Sequence, residues 1–105
     1  MISFIIIGKN EELNLGRCFE SIKNVTKSFS NSEYEIIYVD SNSTDNSIQI
    51  AKDFTNRIII LTGFCSPAIG RNVGATESKG DDLIFMDGDM EIQTEFFHIA
   101  ARIIC

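Results

Sequence analysis

The 105-residue sequence lacks the features typical of disulfide-stabilised, zinc-binding or membrane-spanning proteins. Its three cysteines, Cys18, Cys65 and Cys105, are odd in number and show no C-x-x-C spacing. They predict reduced thiols in a cytoplasmic protein rather than disulfides or a zinc site. The apolar runs at residues 2–7 and 58–61 are far too short to cross a bilayer, and the first residues lack the basic flank of a signal peptide. We therefore expect a soluble protein, with peripheral attachment of the full-length protein to a membrane left open.

The sequence also lacks low-complexity runs, linkers and any stripe of basic residues. Fifteen acidic residues against nine basic ones give a net charge of −6, so nucleic acid is not an expected partner. The length and a composition of 44% hydrophobic and 23% charged residues predict one domain over residues 1–105. Because the chain stops within an apolar helical pattern, we expect truncation at the C-terminus. Without their cover, Phe96, Phe97, Ile103 and Ile104 could pair two chains as a homodimer.

Four short apolar runs predict β-strands. They are rich in isoleucine, continuous rather than alternating, and bounded by turn residues, a pattern typical of strands buried on both faces of a parallel sheet. The runs cover residues 2–7, 34–39, 57–62 and 82–86.

Helical patterns separate the predicted strands. Apolar residues recur every three or four positions from Leu15 to Phe29, behind Asn10 as a candidate cap and acidic residues in the first turn. A second helix follows Ser43-Thr44-Asp45, three residues of capping type.

A third helix is predicted to begin at Ser66-Pro67 and to end at Gly80, and Thr94 could cap a fourth. The alternation of strands and helices predicts an α/β fold, with an open, mostly parallel, Rossmann-like sheet of about four strands and flanking helices.

In such sheets, ligands bind outside the carboxyl ends of the strands. Every predicted strand here ends in a small, polar or glycine-bearing turn, and two of these turns begin with aspartate. The pattern predicts one acidic crevice.

The turn Asp87-Gly88-Asp89 carries the most specific chemistry. Its two carboxylates can face one hard divalent cation, and Gly88 permits a tight turn and close approach of a ligand. Such a cation would bridge to diphosphate oxygens and stabilise a negative leaving group as a Lewis acid. The alternative is a solvated acidic turn after an edge strand.

Two other features, the turn after the second strand and an arginine on the third helix, are candidates for nucleotide contact. Asp40 could accept hydrogen bonds from a base or ribose, and Ser41 beside it is a second contact candidate, whereas the residues that follow are typical of turns and caps. Arg71 could reach a diphosphate through charge-assisted hydrogen bonds. It could equally be a solvated charge on the third helix.

Five segments, in this order and at this spacing, resemble family-2 glycosyltransferases with the GT-A fold. Residues 3–12 are similar to the opening strand and turn of the family, and residues 17–22 to its first helix. Residues 39–45 resemble its "VDDGSTD" segment, and residues 70–74 its "ARNxG" helix. Residues 83–89 resemble the strand that delivers its D-x-D motif.

The resemblance implies a UDP- or GDP-sugar donor held by Mn²⁺ or Mg²⁺, and sugar transfer with inversion to a saccharide, lipid-linked or protein acceptor. It places Arg71 near the nucleotide, Asp87 near ribose or metal, and Asp89 on the metal. With the strand-end candidates included, the expected nucleotide-sugar-binding residues are Gly8, Asn10, Glu11, Asp40, Ser41, Arg71, Asp87 and Gly88, and the expected metal-binding residues are Asp87 and Asp89.

Three departures from the family pattern bear on these expectations. Ile7-Gly8-Lys9 stands where the family often has Pro-Thr-Tyr, which removes an aromatic residue for base stacking. Ser41 replaces a common second aspartate. The catalytic base and the acceptor site of the family lie in a second half, so a base is expected beyond Cys105. The 105 residues are expected to bind the donor weakly without turnover.

Two other functions compete with this interpretation. Residues 82–87 also resemble the strand that presents the phosphorylated aspartate of signalling receiver domains, here Asp87. The order of elements argues against a receiver domain, because a receiver has its acceptor aspartate after the third strand, whereas Asp87 follows the fourth predicted strand. The remaining alternative is a non-catalytic α/β binding module in which the acidic turns are incidental.

Overall fold

The computed structural model describes residues 1–95, which alternate strands and helices. The strands are β1 (Ile2–Gly8), β2 (Tyr34–Asp40), β3 (Arg57–Ile60) and β4 (Asp82–Asp87). The helices are α1 (Leu15–Thr26), α2 (Ser47–Lys52) and α3 (Pro67–Glu77). All four predicted strands and the first three predicted helices are confirmed.

Within the described residues, the strands form one parallel sheet in the order β3-β2-β1-β4. Ile7 of β1 is in register with both Val39 of β2 and Asp87 of β4, so these strands end level with one another. The chain runs outward from β1 to β3 and then crosses back to β4 on the other side of β1. Strand order therefore reverses between β1 and β4, and open α/β sheets bind ligands at the carboxyl ends of the strands on either side of such a point.

One face of the sheet is covered by α1 and α2. Phe4 and Ile6 of β1 pack there with Leu15 and Phe19 of α1, and all four side chains are fully buried. The ring of Phe19 also stacks on that of Phe54 with 4.9 Å between centroids. The 3.6-residue spacing of apolar positions in α1 thus supplies the face that buries this side of the sheet.

The other face is covered by α3, which lies over β1 and β2. Gly70 and Gly74 are the buried residues of this helix. A Cβ atom at Gly70 would lie 3.2 Å from Ile7 Cγ2, and one at Gly74 would overlap Ile5 Cγ2. The two glycines therefore allow the helix backbone to approach the sheet more closely than alanine would.

The expectation that all four strands are buried on both faces is correct for β1 and β2 but wrong for β3 and β4. Leu83 and Phe85 of β4 are 37% and 41% exposed. They pair with Ser3 and Ile5, so they lie on the sheet face that carries α3. Because α3 covers the two central strands, this face of the edge strand remains open among the described residues.

Several predicted helix boundaries are also wrong. Asn10 is not the cap of α1, which begins after Asn14, because the Asn10 side chain accepts a hydrogen bond from the backbone of Thr44 instead. Likewise, α2 begins after Asn46 rather than directly behind Ser43-Thr44-Asp45.

The third helix begins as predicted, with the Ser66 hydroxyl accepting from the Ile69 amide and Pro67 in the first turn. It ends at Glu77, with Ser78 as its C-cap, rather than at Gly80. Gly80 lies against Ser3 and the carbonyl of Met1, where a Cβ atom would find no room.

The predicted fourth helix and the apolar residues Phe96, Phe97, Ile103 and Ile104 lie outside the described residues, apart from Thr94 at its start. None of the helices in residues 1–95 has both the length and the apolar character needed to span a bilayer.

Candidate functional site

A cleft of about 400 Å³ opens at the carboxyl ends of the strands, a volume within the usual range for small-molecule sites. The turns after all four strands contribute to its wall, as the crossover topology requires. Its lining residues are Ile7, Gly8, Lys9, Glu11, Ser41, Cys65, Ser66, Pro67, Arg71, Asp87, Gly88 and Asp89.

The charged side chains of the cleft have both signs. Glu11, Asp87 and Asp89 supply carboxylates, and Lys9 and Arg71 supply cations. Arg71 Nη2 lies 3.6 Å from Asp87 Oδ1, and both side chains are about half exposed. An ion pair this open to water contributes at most about 1 kcal/mol. The guanidinium of Arg71 can therefore exchange this partner for an anionic ligand.

The turn that presents Asp87 is fixed through its backbone. The amide of Gly88 donates to the carbonyl of Ile7 at 2.8 Å, and the amide of Met90 donates to the carbonyl of Asp87 at 2.9 Å. Gly88 is buried, and a Cβ atom there would lie 3.2 Å from Leu15 Cδ1 and 3.3 Å from Glu11 Cγ. Close packing thus holds the turn, while the two carboxylates stay exposed to the cleft.

A buried thiol lies beneath this turn. Cys18 Sγ is 3.8 Å from the carbonyl oxygen of Asp87. Burial, reinforced by the negative charges of Asp89, Glu91 and Asp87, raises the pKa of Cys18 to about 12. The thiol therefore stays protonated and donates weakly to the carbonyl.

Asp40 lies behind the cleft rather than in its wall. The residue is 0% exposed. Its Oδ1 accepts hydrogen bonds from the hydroxyls of Tyr38 and Ser43, both at 2.7 Å, and its Oδ2 accepts from the amide of Ser43 at 2.7 Å. Such a carboxylate is satisfied internally, and it holds the turn that follows β2.

A sequence model of glycosyl transferase family 2 matches residues 3–104. The chain belongs to this family. A poly(ribitol-phosphate) beta-glucosyltransferase of Bacillus spizizenii is 34% identical over 100 residues, which cover 90% of this chain and 16% of that protein. Glycosyltransferase AglE of Haloferax volcanii is 32% identical over 93 residues, which cover 84% of this chain and 30% of that protein.

A solved structure shows the same fold. The crystal structure of Staphylococcus aureus TarS residues 1–349 in complex with UDP-GlcNAc superposes with a TM-score of 0.84 and 29% sequence identity. The match covers 98% of this chain and 30% of that one. The predicted GT-A-type α/β fold is thereby confirmed. The chain spans no more than 30% of the length of these relatives.

In this family-2 glycosyltransferase chain, the cleft brings together most of the residues that the sequence singled out. Of the predicted site residues, Gly8, Glu11, Ser41, Arg71, Asp87, Gly88 and Asp89 line the cleft, whereas Asn10 and Asp40 do not. The structure adds Ile7, Lys9, Cys65, Ser66 and Pro67 to the wall. Their position at or directly after the strand ends was the signal that could have identified them, because the carboxyl ends of parallel strands meet at the same edge of the sheet.

The donor set of the cleft limits how a metal could bind. Within residues 1–95, no three His, Cys, Asp or Glu side chains converge to form a metal site. Asp87 and Asp89 supply two carboxylates, which are the hard oxygen ligands that Mg²⁺ and Mn²⁺ prefer. Mg²⁺ is commonly held by one or two carboxylates together with substrate phosphates and water. The residues present therefore fit a cation that binds together with a diphosphate.

Proposed function

We propose that the cleft binds the nucleotide diphosphate of a UDP- or GDP-sugar, and that the protein transfers the sugar to an acceptor hydroxyl. The observation that carries the proposal is the position of the cleft. It lies where strand order reverses in a family-2 glycosyltransferase chain, and it is lined by exposed carboxylates and cations. The UDP-GlcNAc complex of the structurally similar TarS supports a nucleotide sugar as the ligand.

The diphosphate is proposed to lie near Arg71 and Lys9. The planar guanidinium of Arg71 suits paired phosphate oxygens, and the ammonium of Lys9 adds a second positive charge. The N-terminus of α3 also faces this region, since Ser66 and Pro67 line the cleft. Its helix dipole adds a partial positive charge that favours an anion.

Asp87 and Asp89 are proposed to hold Mn²⁺ or Mg²⁺. When bound, the cation supplies Lewis-acid stabilisation of the diphosphate leaving group. The chain itself orients the two carboxylates through the fixed backbone of the Gly88 turn. Release of Asp87 from Arg71 would free the carboxylate for the cation and the guanidinium for phosphate.

The nucleoside is proposed to contact Gly8, Glu11 and Ser41, which line the other side of the cleft. Asp40 and Asn10 are proposed to shape this part of the pocket, since Asp40 is buried and the Asn10 amide oxygen accepts from Thr44. A serine at position 41 can donate or accept a hydrogen bond, so the nucleotide base is left to experiment.

We further propose in-line displacement at the anomeric carbon with inversion, and an acceptor among saccharides, lipid-linked molecules and proteins. The names of two relatives, TarS and the Bacillus spizizenii enzyme, make a poly(ribitol-phosphate) acceptor the first to be tested. Because the chain spans no more than 30% of the relatives compared above, we expect donor binding without sugar transfer by these 105 residues. Detectable transfer would contradict that expectation.

Isothermal titration with UDP and GDP, each with and without Mn²⁺, tests the proposal. We expect binding of one nucleotide that depends on Mn²⁺ and weakens by about tenfold or more in Asp89→Asn, because a charged ligand to the cation is lost. Arg71→Gln should weaken binding by a similar factor. The control Asp53→Asn removes an exposed carboxylate at the end of α2 that does not line the cleft, and it should leave affinity unchanged.

The outcomes separate the parts of the proposal. Failure of both nucleotides to bind under either condition would favour a non-catalytic binding module. Nucleotide binding that is independent of Mn²⁺ and unchanged in Asp89→Asn would remove the metal site but keep the nucleotide site.

A further inference from the structure

The turn after β1 and the turn after β2 are joined by an array of hydrogen bonds. We call residues 8–12 the first loop and residues 40–47 the second loop. Three consecutive amides of the first loop donate to side-chain oxygens of the second. These are Asn10 to Ser43 Oγ at 2.9 Å, Glu11 to Ser47 Oγ at 2.9 Å and Glu12 to Asp45 Oδ2 at 3.1 Å. These three amides of the first loop are thus paired with side chains of the second loop rather than with backbone carbonyls of a helix or sheet.

The second loop makes the reciprocal contacts. The amide of Thr44 donates to Asn10 Oδ1 at 2.8 Å, and the amide of Asn46 donates to Glu12 Oε2 at 3.2 Å. Asn10 has a φ of 53°, a left-handed conformation that is uncommon for residues other than glycine. The cross-loop bonds hold the backbone in this conformation.

Ser43 connects the exposed part of this array to the buried core. Its hydroxyl accepts from the Asn10 amide and donates to Asp40 Oδ1. The same carboxylate oxygen accepts from Tyr38, which is fully buried, and burial raises the pKa of the Tyr38 hydroxyl, so it remains a donor. Hydrogen bonds to a buried carboxylate are stronger than those between neutral groups, so Ser43 has a fixed orientation.

We propose that Ser43 is a positioning residue for the nucleotide sugar: through Asp40 it fixes the first loop against the second before the ligand arrives. The inference rests on the proposed function, because Gly8, Glu11 and Ser41, which line the cleft, belong to these two loops. A loop ordered in advance loses less conformational entropy when a ligand binds. Removal of the Ser43 hydroxyl frees the Asn10 amide and lets the two sides of the pocket move apart.

Two measurements on the same variants test the proposal. Amide hydrogen exchange by NMR reports the contact at Asn10, and titration with UDP in the presence of Mn²⁺ reports its effect on binding. In Ser43→Ala we expect faster exchange at Asn10 and an affinity about five- to tenfold lower, the size of one net hydrogen bond. Ser43→Thr keeps the hydroxyl and should restore both. The control Thr44→Ala removes a neighbouring hydroxyl whose bond to Asn10 Oδ1 is longer, at 3.4 Å. It keeps the 2.8 Å bond from the Thr44 amide to the same oxygen, so both readouts should change far less than in Ser43→Ala.

Each result has a defined meaning. Unchanged exchange at Asn10 in Ser43→Ala would overturn the loop contact, and faster exchange with unchanged UDP affinity would overturn the positioning role. If Ser43→Ala fails to fold, Ser43→Cys, which is close in volume but a weak hydrogen-bonding group, takes its place. If the wild type binds no nucleotide, the proposed function fails, and with it the positioning role. The exchange data then still decide whether Ser43 holds the first loop.

Discussion

Gly74→Ala should destabilise the protein although alanine is the better helix former. Gly74 lies in α3 where the helix crosses β1, and a Cβ atom there would overlap Ile5 Cγ2 and lie 3.4 Å from Val39 Cγ2. Ile5 is fully buried in a central strand, and its β-branched side chain has little rotamer freedom. The helix must therefore move away from the sheet to admit one methyl group.

The expected magnitude follows from two opposing effects. Insertion of a methyl group into a packed interior typically costs about 1–3 kcal/mol, and the change from glycine to alanine in a helix returns up to about 1 kcal/mol. Because the Cβ atom would overlap Ile5 Cγ2 rather than only touch it, the cost should lie in the upper part of that range. The net loss in the free energy of unfolding should then be about 1–2 kcal/mol. For a domain near this size, each kcal/mol lowers Tm by roughly 4–8 °C.

Gly16 provides a matched control within the same chain. It lies in α1, and a Cβ atom there would have no neighbour within 4 Å. Gly16→Ala should therefore raise the free energy of unfolding by about 0.5–1 kcal/mol, the usual helix preference of alanine. Gly70→Ala, with one contact of 3.2 Å to Ile7 Cγ2, should lie between the other two variants.

Thermal and urea unfolding followed by circular dichroism measures all three variants. The expected order of stability is Gly16→Ala above Gly70→Ala above Gly74→Ala, with the wild type below the first and above the last. An increase in stability for Gly74→Ala equal to that for Gly16→Ala would show that α3 does not pack on β1 at this distance.

Three other predictions concern acid stability, thiol reactivity and the Gly88 turn. Burial alone would raise the pKa of Glu35, but bonds from Ser3, Lys79 and Arg57 hold that pKa below the usual 4.5. The stabilising contribution of the Glu35 carboxylate is therefore lost as pH falls through the lowered pKa, and urea midpoints should fall less on acidification in Glu35→Gln than in the wild type. At pH 8, site-resolved mass spectrometry should find Cys65 alkylated, with UDP and Mn²⁺ slowing the reaction, and Cys18 unmodified because its pKa is about 12; equal reactivity of the two would contradict the buried position of Cys18. Gly88→Ala should weaken UDP binding in the presence of Mn²⁺ by about three- to tenfold, because its Cβ atom displaces Glu11; an unchanged affinity in the titration would argue against a fixed turn.

The strands could be predicted because burial on both faces gives the central strands continuous isoleucine runs. The positions of the strands within the sheet could not be predicted. Residues 82–86 have the same apolar character as the other runs, yet Leu83 and Phe85 are partly exposed. Which strand α3 covers depends on the crossover to β4, and that arrangement has no local signature in the sequence.

Strand ends could be recognised from the residues around them in the sequence, and they predicted most of the residues that line the cleft. Asp87-Gly88-Asp89 lies where its strand-end position placed it, and Arg71, which the family resemblance placed near the nucleotide, also lines the cleft. Asn10 was assigned to a helix cap because it is a residue of capping type, but its partner Thr44 is 34 residues away. A single sequence does not distinguish a bond within a helix terminus from one between two loops, so the contacts between the two loops could not be predicted.

The strand order gives the two walls of the cleft different mechanical support. The first loop extends from β1, which is paired on both sides, whereas Asp87 and Asp89 extend from β4, which within residues 1–95 is paired only with β1. Local opening requires less free energy at an edge strand than at a central one. The wall proposed to hold the nucleoside is therefore supported by strand pairing on both sides, whereas the wall proposed to hold the cation depends more on the backbone bonds and close packing of the Gly88 turn.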